Sequence, residues 1–525
     1  MTMVPARWLA VAGIAVACAV TTARADERLY EEPYRPQYHY TPPQQWMNDP
    51  NGLVYAHDEY HLFYQYNPYG NKWGPMHWGH AVSRDLLHWQ DLPIALFPDR
   101  LGAIFSGSAV LDVDNSSGFG SRTQPALVAM YTYHDHLREN LGQTGYESQG
   151  LAYSLDHGRN WIKYPGNPVL TDAAVRDFRD PKLFWHAASR RWIVALAATD
   201  HVAFYSSRDL RHWVHESDFG HGLGAHGGVW ECPDLIAMPV EGTAQERHVL
   251  LVSIGKGGPN GGSATQYFIG DFDGHRFEVD GSGHDDARTR TPRWLDFGTD
   301  DYAGSTWSGA APGDRRALFI GWMSNWQYAQ DVPTQRWRSA MTLPRELRLA
   351  IEDGGPVLRA RPIAELATLR RSAATIGPRT IEGPFDLTSA AHTTAGLLEL
   401  DLDLDLGPAN GARLQFSNAR GERTIFRIDG AARRFELDRS ASGAIAFNPA
   451  FAAAPQVAPW LGAATRLRLH VFLDQSSIEV FVDDGATVLT TLVFPATPYD
   501  SVQLDGSRPF ELRTANVYEL ASALR

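Results

Sequence analysis

Apolar positions between residues 53 and 350 come in short dense runs, separated by Gly, Pro, Asn and Asp. His61–Tyr66, Ala126–Tyr133, Trp192–Ala198, His248–Ile254 and Ala317–Trp322 are such runs, rich in aromatic and β-branched residues. That composition favours strands, and turn residues bound each run. No segment here carries the period of a convincing amphipathic helix. Further along, the pattern becomes an alternation. Leu398–Leu406 alternates Leu with Glu and Asp, and Thr424–Ile428, Phe435–Leu437, Arg466–Phe472, Ser477–Val482 and Val488–Phe494 read as further strands. Strands of this kind, divided by Gly and Asn turns, predict a β-sandwich. Between the two regions lie a turn at Asp353-Gly354-Gly355-Pro356 and a stretch, Pro362–Arg371, with room for one short helix.

An internal repeat refines the first region. Ser83-Arg84-Asp85-Leu86-Leu87-His88-Trp89 is echoed by Ser154-Leu155-Asp156-His157-Gly158-Arg159-Asn160-Trp161 and by Ser207-Arg208-Asp209-Leu210-Arg211-His212-Trp213. Asp271-Phe272-Asp273-Gly274-His275-Arg276-Phe277 is a looser copy. Each reads as a strand, an Asp-led turn and an aromatic opening the next strand. Such repetition in an all-β context predicts propeller blades. Four copies plus an N-terminal blade predict five. The expected fold is all-β: a five-bladed β-propeller over 26–352, a linker over 353–372 and a β-sandwich over 373–525. Residues 1–25 read as a signal peptide, with Arg7, the apolar run Leu9–Val20 and an Ala23-Arg24-Ala25 cleavage site. The run is too short to span a membrane, so the expectation is export.

Charge and cysteine usage narrow the partners. A net charge of −13 argues against nucleic acid and anionic membranes but not against a neutral substrate. Cys18 leaves with the signal and Cys232 remains, so no intrachain disulfide is expected and the mature chain relies on its core. Trp is frequent in the first region, while only Trp460 remains in the second. The chemistry is therefore expected in the propeller.

Three acidic motifs carry that chemistry: Trp46-Met47-Asn48-Asp49-Pro50-Asn51-Gly52, Arg179-Asp180-Pro181-Lys182 and Trp230-Glu231-Cys232-Pro233-Asp234. Each sets a carboxylate on, or one residue before, an X-Pro step, where the backbone is restricted. That predicts carboxylates at rigid turns or strand ends; Asp49-Pro50-Asn51-Gly52 alone is a good turn. Inner strands of different blades reach a common axial pocket, so Asp49, Asp180 and Glu231 can meet. Glycoside hydrolysis needs two carboxyl groups flanking the bond, about 5–5.5 Å apart for retention and farther apart for inversion. Arg179 is expected to hold Asp180 ionised if it turns inward. Glu231, between Trp230 and Cys232, is expected to be the general acid, because less polar neighbours raise a carboxyl pKa.

These motifs resemble those of glycoside hydrolase family 32, which comprises invertases, exo-inulinases, levanases and other β-fructosidases. His39-Tyr40-Thr41-Pro42, Phe63–Pro68, Phe105-Ser106-Gly107-Ser108, 257–266, Gly321–Trp326, Trp337–Met341 and 470–485 extend the resemblance over roughly residues 33 to 520. The resemblance implies a retaining hydrolase releasing terminal β-D-fructofuranosyl units from levan, inulin or sucrose. Asp49 would be the nucleophile, Glu231 the acid/base and Asp180, beside Arg179, the transition-state stabiliser. Asn48, Gln65, Trp73, Phe105 and Ser106 would line the fructose pocket and Trp326 its rim, with Trp322 a weaker candidate there. No metal and no cofactor are implied. The clusters His134-Asp135-His136 and His221 with His226 do not amount to a complete zinc ligand set, and no His–Asn pair in the sequence marks Cys232 as a nucleophile. A fructosyltransferase, a non-catalytic sugar-binding propeller and an arabinan- or xylan-cleaving enzyme are the alternative readings. The segment Asp300–Trp307 departs from the Tyr-Ala-x-Gln-Thr-Phe wording common in the family, which leaves leaving-group preference open at that border.

Overall fold

The computed structural model describes residues 29–280, 291–352, 355–393, 396–408, 410–462 and 464–524. The signal peptide with Cys18, and Asp353-Gly354 of the turn, lie outside them. Among the described residues the first region folds as five antiparallel sheets of four or five strands. Their first strands are Gln45–Ala56, Ala103–Asp112, Phe178–His186, Trp230–Pro239 and Tyr302–Thr306. These five pack side by side in a closed cycle, the last returning to the first. The arrangement is a β-propeller. The ring is latched by Trp337–Arg338, which pairs in parallel with Gln45 and Trp46.

The five apolar runs legible in the sequence are all second strands. Ala126–His134 is buried at every position, and Arg191–Ala198 at all but the first. Faces packed on neighbouring sheets on both sides need continuous apolar runs rather than alternation.

The repeat marks the same place in four sheets, the turn from the third strand to the fourth. Ser83, Ser154 and Ser207 hydroxyls donate to Asp85, Asp156 and Asp209. Asp85, Asp209 and Asp273 carboxylates accept from backbone N–H groups two and three residues on. Leu86, His157, Leu210 and Gly274 take positive φ at the tip. Trp89, Trp161 and Trp213 indoles close each turn on a carbonyl three residues back. This is side-chain turn chemistry competing successfully with the ladder. The sheet lacking the motif is the last one, not an N-terminal one. The first copy already belongs to the sheet that opens with Gln45–Ala56.

Gly355–Pro362, assigned to the linker from sequence, pairs along Arg345–Glu352 and completes the fifth sheet. A short 3-10 helix, Ala364–Leu369, then leads to Arg370–Ile376, which pairs with the C-terminal strand Phe510–Leu520. The second region is a sandwich of a seven-stranded and a six-stranded sheet. Here the alternation holds: in Leu398–Asp405 each Leu is buried and the last three acids are half-buried, as a period of two requires.

Candidate active site

All five first strands carry a register shift at one level. The shifts fall between Met47 and Pro50, Ile104 and Gly107, Arg179 and Lys182, Glu231 and Asp234, and Tyr302 and Ser305. A bulge bends a strand and re-aims the extra residue. It also tolerates proline, which has no N–H for the ladder. Pro50, Pro181 and Pro233 sit at these bulges, and Asp180 and Cys232 adopt φ of 63° and 47°. The acid–proline motifs are thus bulges in strands rather than turns, and in Phe178–His186 and Trp230–Pro239 they lie at the strand's start. Repeated around the ring, they turn carboxylates from three sheets toward one axis.

The result is a pocket of about 460 Å³ lined by Asn48, Asp49, Gln65, Trp73, Phe105, Ser106, Arg179, Asp180, Glu231 and Trp326. All ten residues proposed from sequence reach it. Trp322 does not; it is fully buried, packed between Trp46, Tyr302 and Trp326.

Asp49 is half-buried, and its desolvation raises its pKa, while hydrogen bonds from Ser106 Oγ (2.7 Å) and Asn48 Nδ2 (3.0 Å) favour the carboxylate and limit the rise. Trp46 Nε1 donates to Asn48 Oδ1 at 2.7 Å and fixes the amide so that its nitrogen faces Asp49. The Cys232 thiol lies 3.6 Å from both Asp49 Oδ2 and Asp180 Oδ2, and its backbone N–H donates to Asp180 at 3.1 Å. Buried among carboxylates, that thiol is pushed well above its usual pKa, which removes it as a nucleophile. The Gln65 side-chain nitrogen is buried and has no protein partner, leaving a donor available to a ligand.

Arg179 does turn inward, but not to hold Asp180 ionised. Its Nη2 donates to Glu231 Oε1 at 2.9 Å and its Nη1 to Asp177 at 2.7 Å, with Glu147 at 3.3 Å and Asp180 only at 4.0 Å. One guanidinium shared by four carboxylates does not offset burial at Asp180, whose pKa rises to about 8, helped by Glu231 and Asp49. The neighbours expected to set Glu231 apart also differ. Trp230 is fully buried, its ring stacked with His226 and tilted against Phe268. The partners of the Glu231 carboxylate are Arg179 and the Tyr302 hydroxyl, which donates to Oε2.

The model of the glycosyl hydrolases family 32 N-terminal domain matches residues 39–362, and that of the family 32 C-terminal domain residues 365–518. The chain belongs to glycoside hydrolase family 32. It is a β-fructofuranosidase, a glycoside hydrolase. A levanase of Bacillus subtilis (strain 168) is 45% identical over 480 residues, covering 91% of this chain and 69% of its own. An extracellular exo-inulinase of Aspergillus awamori is 38% identical, covering 94% and 96%. Among solved structures, exo-inulinase from Aspergillus awamori superimposes with a TM-score of 0.85 at 36% identity, over 94% of this chain and 99% of that one. A Schwanniomyces occidentalis fructofuranosidase complexed with fructose gives 0.79 at 30%, with the same coverage.

In this family 32 pocket several residues escaped sequence reasoning. Glu147, Asp177, His134, Glu139 and Lys256 line it, and Tyr302 reaches Glu231. Glu147 and Asp177 carry no motif of their own; only pairing with Arg179 reveals them. Tyr302 had a signal, since it lies in the segment whose wording departs from the family. His134 was weighed only as a metal ligand. In the structure its ring stacks on Phe105 at 4.2 Å, and its two nitrogens face Glu147 and Glu139 at 3.0 Å each. His221 pairs with His201 rather than His226.

Proposed function

We propose that this enzyme is a retaining β-fructosidase that releases terminal β-D-fructofuranosyl units from levan, inulin or sucrose. Asp49 attacks the anomeric C2 and forms a covalent fructosyl-enzyme. Glu231 protonates the leaving oxygen, then takes a proton from the water that releases fructose. Asp180 bonds fructose hydroxyls as positive charge develops on the ring. The observation that carries this reading is the convergence of the three carboxyl groups at matching bulges, with Cys232 Sγ 3.6 Å from both Asp49 and Asp180. Besides desolvation, the Glu231 charge raises the Asp49 pKa, so the acid/base and the nucleophile lie within electrostatic reach of each other. Asn48, Gln65 and Ser106 supply polar contacts. Phe105, Trp73 and Trp326 supply the apolar walls that orient a sugar ring.

The relatives named as levanase and as extracellular exo-inulinase support a fructan substrate and export. We place signal cleavage after Ala25. No helix among the described residues is long and apolar enough to cross a membrane. Timed product analysis on levan, inulin and sucrose tests the reading. Free fructose of retained configuration is expected from the first time point. Growth of oligosaccharides from sucrose instead of fructose release would sink the hydrolase assignment, and the relative rates rank the substrates.

A further inference from the structure

At the rim of the pocket, the strand Ala126–His134 runs into a five-residue helix, His136–Asn140, capped by the Asp135 carboxylate. The turn brings three side chains together. His134 Nε2 lies 3.0 Å from Glu139 Oε2, and His136 Nδ1 lies 3.9 Å from the same oxygen. One donor atom from each of the three falls within 4.8 Å of the others. Ligands on a tetrahedral Zn²⁺ with bonds of about 2.0 Å stand roughly 3.3 Å apart, so small rotations bring these three into coordination distance. The remaining nitrogen of His134, Nδ1, faces Glu147 Oε1 at 3.0 Å, the outer carboxylate that commonly orients a metal-binding imidazole. His134 and Glu147 are buried, whereas His136 and Glu139 side chains are 38% and 40% exposed. The site is therefore rigid behind and open in front.

We propose that His134, His136 and Glu139 form an inhibitory binding site for a divalent transition-metal ion such as Zn²⁺, with water as the fourth ligand. The ion plays no part in sugar chemistry. It replaces the His134–Glu139 hydrogen bond with two metal–ligand bonds and fixes both imidazoles. His134 stacks on Phe105, and His136 meets the Trp73 ring edge-on at 5.6 Å. Behind His134, Glu147 pairs with Arg179, which holds Glu231. An ion at the rim thus acts on the sugar-binding wall and, through Glu147 and Arg179, on the acid/base. The other compact cluster, Asp200, His201 and His221, shares no residue with the pocket lining.

Calorimetric titration of the full chain with ZnCl2 is the test, paired with kinetics. Binding near one ion per chain, a raised KM and reversal by EDTA are expected. His136→Gln should weaken Zn²⁺ binding and inhibition together by about 10–100-fold, with metal-free kcat unchanged. His221→Gln should change neither. No heat at millimolar ZnCl2 overturns the proposal. So does Zn²⁺ binding unaltered in His136→Gln, as coordination by the Cys232 thiol or by the His201–His221 cluster would give. The calorimetric result does not depend on the fructosidase mechanism, so failure of one is distinguishable from failure of the other.

Discussion

Two buried clusters in this protein are built from the same parts, one arginine among several carboxylates, and they do opposite things. At the interface between propeller and sandwich, Arg345 meets Asp296 (3.0 Å), Asp301 (2.9 Å) and Glu479 (2.7 Å). In the pocket, Arg179 meets Asp177, Glu147, Glu231 and, more distantly, Asp180. The interface cluster is closed: its side chains are at most 2% exposed. Thr490 donates to Asp296 through its N–H and hydroxyl, and Leu343 N–H donates to Glu479. A second cation, His39, sits between Asp474 and Glu479; burial opposes its charge, yet the two carboxylates raise its pKa to about 9. Burial also opposes ionisation of Glu479, but Arg345 and His39 bring its pKa below the usual value. The pocket cluster has one cation for more acids and an open side. Charge left unneutralised on one side is what a substrate with developing positive charge can use. At the interface most of the charge is paired and serves to hold two domains together; Asp301 is the exception, its pKa raised to about 7 by burial and its Oδ1 left without a partner.

The largest test of that contrast is Asp49→Asn. Removing the proposed nucleophile should lower kcat by about 10⁴-fold or more, with Tm unchanged or slightly higher, because burial already disfavours the Asp49 charge. Turnover retained in the variant would end the proposed role.

Arg345→Met should show the reverse. Three buried carboxylates lose their cation, a change that costs about 3–5 kcal/mol, read as a fall in Tm or in denaturant midpoint. Metal-free kcat per folded molecule should change far less than in Asp49→Asn. Lost activity at unchanged Tm would show that the interface cluster serves catalysis and not docking.

The most specific test is pH-dependent. Asp180 has a folded pKa of about 8 against an ordinary 3.8. Between these values the native state holds a proton that the unfolded chain has released, so this group lowers stability as pH rises from about 4 to about 8, and no further above. Asp180→Asn abolishes that slope. Its Tm advantage over the parent should be absent near pH 4 and reach about 2 °C or more near pH 8, while kcat falls. An advantage that shrinks with rising pH would mean that Arg179 does hold Asp180 ionised.

The elements differ in how legible they were. The second strands could be read directly, because burial on both faces demands continuous apolar runs. The sandwich strands could be read from alternation. The turns between third and fourth strands were visible because a Ser, an Asp and an aromatic recur in three of them and an Asp and an aromatic in a fourth. The acidic motifs of the first strands, which build the site, read as rigid turns or strand ends: a bulge needs proline, asparagine and polar residues, and these erase the strand pattern. Gly355–Pro362 reads as linker because the strand itself opens with Gly355 and Pro356, the end of a turn signal.

What the sequence determined by itself was the set of chemical groups and their backbone settings. Asp49, Asp180 and Glu231 with their prolines, and the family they signal, follow from local patterns that survive without coordinates. Only the tertiary structure decided which charges face one another. Arg179 adjoins Asp180 in the chain, yet successive side chains in a strand diverge, and its guanidinium binds Asp177 two residues back and, across sheet boundaries, Glu231 and Glu147. Tyr302 meets Glu231 from a different sheet. Pairings of that kind depend on the angle at which five bulged strands meet around an axis, a quantity set by packing between sheets and carried by no segment alone.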